Sequence, residues 1–278
     1  MNPTYISRCA QLAMLLEVSA TPKPGNIDRD HDFDDTKYEH FLASAISAGP
    51  VFERAAISKK CIGSFIRELI EESTRWQNGG NTHFGAFLLL TPLVIAAGNG
   101  EVKSVNKVVQ DTSVEDAVEL YKAFRSIDVR VSSIKELSID DPNSTKELRR
   151  RGLTLYDIMK ISAKYDAIAH EWTNDFKRTF RGASILEKNV GERNMNDAII
   201  FTYLTLLSER PDTLIQSKFG VDKAIQVSEK ASQLIENWNL DAIRDFDEKL
   251  IRERVNPGST ADMVIGSLFI TLLGGVKP

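Results

Sequence analysis

Between residues 84 and 97 the chain carries no charged side chain, and that run constrains the fold more than any other stretch. Such a run has to leave water. A membrane span needs about 20 apolar residues. This run is shorter, contains Pro92 and is followed by Gly98-Asn99-Gly100, so it reads as a core helix, over 82–98, with Pro92 marking a kink. Immediately before it stands Asn78-Gly79-Gly80-Asn81-Thr82-His83. Two adjacent glycines permit left-handed backbone and the close approach of a ligand. A helix N-terminus offers free N–H groups and a partial positive charge to an anion.

The same helical period recurs along the chain. Ile6, Cys9, Leu12, Ala13, Leu16 and Ala20 make an amphipathic helix over 4–20, which Pro22 and Pro24 stop. Asp34 or Asp35 caps a helix over 36–48, which Gly49-Pro50 breaks. Ile62, Phe65, Ile66, Leu69 and Ile70 stripe a helix over 61–76. Ser113 through Asp116 opens another helix, and Thr154 caps one running toward Asp175. Further helices fall near 193–208, 221–237, 241–254 and 259–273. Val129 and Val131 alternate with polar residues too briefly to establish a sheet, and Asp140-Asp141-Pro142-Asn143 reads as a loop. These patterns predict an all-α, single-domain bundle of about ten helices over residues 1–278, with no linker dividing it.

Composition narrows the function. The net charge of -4 disfavours a general nucleic-acid role while leaving room for a small anionic ligand. Two cysteines make no disulfide framework, and the Cys and His spacing does not suit structural zinc. The N-terminus has no leader pattern, so a cytoplasmic protein with no membrane partner is expected. A homodimer is compatible with this composition.

A second polar turn, Pro22-Lys23-Pro24-Gly25-Asn26-Ile27-Asp28-Arg29, pairs with the glycine loop as a second wall of one phosphate-handling site. Asp28, Asp34 and Asp35 share a loop with Lys23 and Arg29. Hard carboxylate oxygens suit Mg²⁺ on a polyphosphate, and Lys and Arg neutralise phosphate. The bland alternative is a solvated acidic loop with a surface ion pair.

The 22–29 turn resembles the PKPGLVDR signature of the triphosphoribosyl-dephospho-CoA synthase family. Gly79-Gly80-Asn81-Thr82-His83-Phe84-Gly85 resembles its GVNTHKG signature, and Asn256-Pro257-Gly258-Ser259-Thr260-Ala261-Asp262 its NPGGSAD signature. Phe41-Leu42-Ala43-Ser44-Ala45 and Tyr156-Asp157 match weaker family positions. The matches stand in family order. The resemblance implies an all-helical enzyme that moves the triphosphoribosyl group of ATP to 3′-dephospho-CoA and releases adenine. It implies ATP and a CoA-like acceptor as partners and Mg²⁺ as cofactor.

On that basis Asp28, Asp35 and Asp262 are the expected metal ligands. Lys23, Gly25, Arg29, Gly79, Gly80, Asn81, Thr82, Asn256, Gly258 and Ser259 are the expected nucleotide contacts. Cleaving an anomeric bond builds positive charge on the ribose, the leaving base needs a proton and the attacking hydroxyl loses one. His83, Asp28 and Glu68 are the expected catalytic groups, with Glu17 a second carboxylate to weigh. Against these stand plainer readings: Asn81 or Thr82 as an N-cap with His83 in the first turn, Ser259 and Asp262 as a capping box, and Arg149-Arg150-Arg151 as a solvated patch. The sequence departs from the family at Phe84, where the signature has lysine, and at Ser259, where it has glycine. His31 lies four residues before Asp35 rather than two, and Asp212-Thr213-Leu214 lacks the Asn of a family motif. Transfer to another nucleotide or phosphorylated cofactor precursor is the alternative, and a non-catalytic nucleotide binder is the third reading.

Overall fold

The structure is a computed structural model and describes residues 1–59, 61–80, 82–124 and 143–278. Asn81, the Val129 and Val131 alternation and the loop residues 140–142 lie outside the described residues. In chain order the helices are α1 (Pro3–Ser19), α2 (Tyr38–Ser47), α3 (Gly49–Ile57), α4 (Ile62–Trp76) and α5 (Phe84–Gly98). A 3-10 turn, Val102–Ser104, leads to α6 (Val105–Gln110), α7 (Val114–Phe124), α8 (Ser144–Arg151), α9 (Leu155–Ser162) and α10 (Ala167–Thr173). Then come α11 (Lys177–Val190), α12 (Met195–Glu209), α13 (Thr213–Phe219), α14 (Val221–Glu236), α15 (Leu240–Arg252) and α16 (Gly258–Leu273).

The all-α expectation holds: the described residues contain helices and no strand. About ten helices was too few, for local reasons. Gly49-Pro50 ends one helix and starts the next, because proline suits a first helical turn. The expected helix from Thr154 toward Asp175 is two. Thr154 caps α9 with a full capping box, and Asp166 then caps α10 by accepting from the Ala169 N–H. The basic run at 149–151 ends α8, where Arg149 pairs with Glu115 and both Arg150 and Arg151 pair with Glu147.

Two compact units account for the chain: residues 1–11 with 43–176, and residues 12–42 with 177–278. The first is built on α5, whose residues 86–97 are all buried, and α3, α4, α6 and α10 pack on it. Helix α5 continues through Pro92, which has no N–H to give the Leu88 carbonyl. The buried Trp172 indole fills that gap, donating to Leu88 O at 3.0 Å. Gly63 lets α4 meet α7: a Cβ there would stand 2.1 Å from the Asp116 carbonyl oxygen. In the second unit α11 packs on α16 and α12, and α12 on α14. No helix among the described residues is long and apolar enough to cross a membrane.

In each unit one carboxylate serves two helix starts. Asp116 closes the Ser113 capping box of α7 and accepts from the Gly63 N–H of α4 at 2.9 Å. Asp212 caps α13 through the Leu214 and Ile215 N–H groups and accepts from the Thr260 N–H and hydroxyl of α16. Ser259 is not the cap that the sequence suggested: Pro257, which has no polar side chain, is the N-cap of α16, and Ser259 lies inside its first turn.

Two measurements test this account. Trp172→Phe is expected to cost roughly 1–3 kcal/mol in urea unfolding, because Leu88 O is left buried without a donor. In a Pro92→Ala background the same change is expected to cost about 1 kcal/mol less, since the new N–H reaches that carbonyl. Asp212→Ala removes caps from two helices and is expected to cost roughly 2 kcal/mol or more, above a single exposed cap.

Candidate functional site

The 22–29 turn is clamped at both ends to the second unit. Asn196 accepts from the Thr21 N–H at 3.0 Å and donates to the Thr21 carbonyl at 2.9 Å. The buried Tyr203 hydroxyl donates to Pro24 O and accepts from Asn26 Nδ2. Burial pushes that phenol well above its ordinary range, with Asp212, Asp247 and Glu17 adding to the shift, so it stays a neutral donor. Gly25 has φ of +80° and no room for a side chain, since a Cβ would stand 2.2 Å from Val255 O and 3.0 Å from Pro257 Cδ. That contact joins the 22–29 turn to the 255–259 turn, so two of the three signature segments meet directly.

Four charged side chains of this region are sealed from water: Glu17, Lys23, Asp28 and Asp247. Lys23 Nζ sits 2.5 Å from the Glu17 carboxylate and also donates to the Glu17 carbonyl. Its charge is thus spent inside the protein. Burial raises the Glu17 pKa, and Lys23 pulls it back. Asp28 is held by backbone: its Oδ1 accepts from the Asp30 and His31 N–H groups at 2.9 and 3.0 Å, and its Oδ2 lies 3.3 Å from the Lys23 N. This aspartate turn folds His31 back over the carboxylate.

Asp247, from α15, accepts the Gly25 N–H at 2.9 Å through Oδ1 and turns Oδ2 toward His31 Nδ1, 3.2 Å away. Burial pushes the Asp247 carboxyl up to about 7, and the neighbouring Asp28 charge adds to it. Asp28, His31 and Asp247 each offer a ligand atom, all within 4.8 Å of one another. A divalent cation is the ligand such a group can hold.

The other expected residues fall as follows. Arg29 and Asp35 are exposed. Asp34 ion-pairs with Arg254 on the surface. Asn256, Gly258 and Ser259 lie in the turn that touches Gly25, with the Ser259 hydroxyl 3.2 Å from that of Thr213. Asp262 is half-buried one turn into α16.

Gly79, Gly80, Thr82 and His83 belong to the first unit. His83 is buried at the N-cap of α5, and its own side chain does not cap that helix. Its Nδ1 is 2.9 Å from the Ser44 hydroxyl, which accepts from Ser73, and Ser73 stands 3.4 Å from Thr82. Beside them Gly80, Thr82, His83 and Gln77 line a cleft of about 20 Å³. Phe84 is packed against Phe124, ring centres 5.1 Å apart. Glu68 lies on the exposed side of α4, paired with Arg54.

Asp247 and Tyr203 were not singled out from the sequence, and His31 entered only as a misplaced family position. The signal for Asp247 was available. It falls among Ile243, Phe246 and Leu250, on the buried stripe of a strongly amphipathic helix, where an acid is out of pattern.

The CitG family model, described as ATP:dephospho-CoA triphosphoribosyl transferase, matches residues 3–277. A Streptococcus equi subsp. zooepidemicus protein named as a probable 2-(5''-triphosphoribosyl)-3'-dephosphocoenzyme-A synthase is 24% identical, over 96% of this chain and 96% of its own. The Klebsiella pneumoniae 2-(5''-triphosphoribosyl)-3'-dephosphocoenzyme-A synthase is also 24% identical, over 98% of this chain and 91% of its own. A crystal structure from Archaeoglobus fulgidus carrying the triphosphoribosyl-dephospho-CoA synthase name superposes with a TM-score of 0.71 at 30% identity, over 85% of this chain and 100% of that one. With its signature turns in place and a match running almost end to end, the chain belongs to the family of ATP:dephospho-CoA triphosphoribosyl transferases, and it is an enzyme of the transferase class.

Proposed function

We propose that the protein moves the triphosphoribosyl group of ATP to a hydroxyl of 3′-dephospho-CoA and releases adenine, with a divalent cation, Mg²⁺ in the cell, on the polyphosphate. The observation that carries the reading is the family match over residues 3–277, which runs through all three signature turns. The charge arrangement supports it. Two buried carboxylates, Asp28 and Asp247, gather beside His31, and a polyphosphate brings its own divalent cation.

In this reading Asp28 holds cation charge, and Asn256, Gly258 and Ser259 lend backbone and hydroxyl groups to the nucleotide. His83 carries a proton, to the leaving adenine or from the acceptor hydroxyl; its contact with Ser44 fixes the ring. The N-terminus of α5, with its partial positive charge, suits phosphate oxygens. Lys23, closed off by Glu17, acts by holding the turn rather than by touching phosphate.

A second reading has one specific observation behind it. Phe84 stands where the signature has a basic residue and packs on Phe124, which removes one charge from the acceptor's surroundings. It proposes another phosphorylated cofactor precursor as the acceptor, by phosphoryl or glycosyl transfer.

The deciding assay is incubation with ATP, Mg²⁺ and 3′-dephospho-CoA, followed by chromatography. Free adenine in step with loss of ATP is the expected result. Appearance of ADP, AMP or pyrophosphate instead would favour the second reading. Asp28→Asn and His83→Ala are each expected to lower turnover about 100-fold or more while the helical circular dichroism is unchanged.

A further inference from the structure

We propose that Asp28, His31 and Asp247 form a binding site for a first-row divalent transition ion, with Mn²⁺ as the ion that reports it. The argument begins with charge. Glu17 and Lys23 cancel in a buried pair, which leaves the two buried carboxylates of Asp28 and Asp247 facing one imidazole. Two carboxylates buried beside one partly exposed imidazole favour a counter-ion, and a divalent cation balances both at once.

Geometry points the same way. His31 Nδ1 lies 3.2 Å from Asp247 Oδ2 and 3.6 Å from Asp28 Oδ1. Ligands about 2.1 Å from a six-coordinate ion stand about 3 Å apart along an edge and about 4.2 Å across it. The three ligand atoms, all within 4.8 Å of one another, fit that frame with small adjustment. Asp247 Oδ2 is buried and accepts no well-aligned hydrogen bond, facing His31 Nδ1 at 3.2 Å, while its partner oxygen is already taken by Gly25. It is therefore the oxygen left to ligate.

The donor set selects the kind of ion. Two carboxylates alone would suit Mg²⁺, which favours oxygen and keeps its waters. One imidazole among them shifts the preference toward Mn²⁺ and the ions after it. The His31 side chain is 27% exposed, so the ion has a way in and its remaining positions can take water or a ligand oxygen. This goes further than the Mg²⁺ of the reading above. It also exchanges Asp35 and Asp262 for His31 and Asp247 beside Asp28. It does not need that reading to be correct, because the ion is measured without nucleotide.

The test is titration of the chelator-stripped full chain with Mn²⁺, following the free ion by electron paramagnetic resonance with no ATP present. One ion per chain is expected, displaced by Mg²⁺ only at about 100-fold excess or more. Asp247→Asn is expected to weaken Mn²⁺ at least tenfold. His31→Gln, on a partly exposed loop residue, is expected to weaken Mn²⁺ tenfold or more while Mg²⁺ affinity changes little, whereas Asp245→Asn on the same helix changes neither. The proposal is overturned if Mn²⁺ stays free at millimolar concentration, if Mg²⁺ displaces it one for one, or if His31→Gln binds like the unaltered chain. Failure of the adenine assay with Mn²⁺ still bound would count against the proposed reaction and leave this site standing.

Discussion

One hydrogen bond, from the Gly25 N–H to Asp247 Oδ1, holds together segments 222 residues apart in sequence. It forms because three demands coincide. Gly25 adopts a positive φ that other residues resist. Its missing side chain lets Val255 and Pro257 close over it. Asp247 projects from the buried face of α15, where the N–H is the donor that keeps Oδ1 from being orphaned. Remove any one of these and the two signature turns lose their contact. The glycine in the 22–29 signature is thus explained by packing and by a buried acceptor, with no appeal to a ligand.

Carboxylates do much of the joining elsewhere as well. Asp116 and Asp212 are nearly sealed from water, and each is met by backbone N–H groups at two helix starts. Helix N-termini carry partial positive charge, so two of them converging on one anion make a low-cost buried site for it. Burial still lifts the Asp212 pKa against the pull of those bonds. The Asp212 bonds tie the start of α13 to the start of α16, beside the 255–259 turn.

How much of this is legible in the sequence depends on the range of the interaction. The stripe of Ile62, Ile66, Leu69 and Ile70 and the capping boxes at Ser113 and Thr154 are local signals, and the helices they announce are present. Short helices were missed where too few residues recur to mark a face, as in the seven-residue α13, although the start of α14 at 221 was legible. Signature motifs placed the 22–29 and 255–259 turns as important. They did not reveal that Lys23 is closed off by Glu17, that Trp172 answers for Pro92, or that Asp247 completes the group around Asp28. Each of those depends on a partner whose sequence distance carries no pattern. The capping reading of Ser259 failed because α16 starts earlier, with Pro257 as its N-cap and Ser259 already inside the first turn.

Lys23 shows how a basic residue in a phosphate-like motif can serve structure instead of ligand. An ammonium aimed at phosphate has to be reachable, and Lys23 is fully buried, with Glu17 at 2.5 Å and a carbonyl at 2.9 Å. Breaking a buried pair by removing one member is strongly destabilising, typically about 3–5 kcal/mol, so moving this lysine toward a ligand would carry the same penalty. What the pair leaves behind is a turn whose basic charge is already spent and whose acidic charge is not. Asp28 and Asp247 then stand together beside His31, and burial holds the Asp247 carboxyl well above the usual carboxylate range. The buried lysine thus holds the turn from within and leaves Asp28 to backbone N–H donors and to His31.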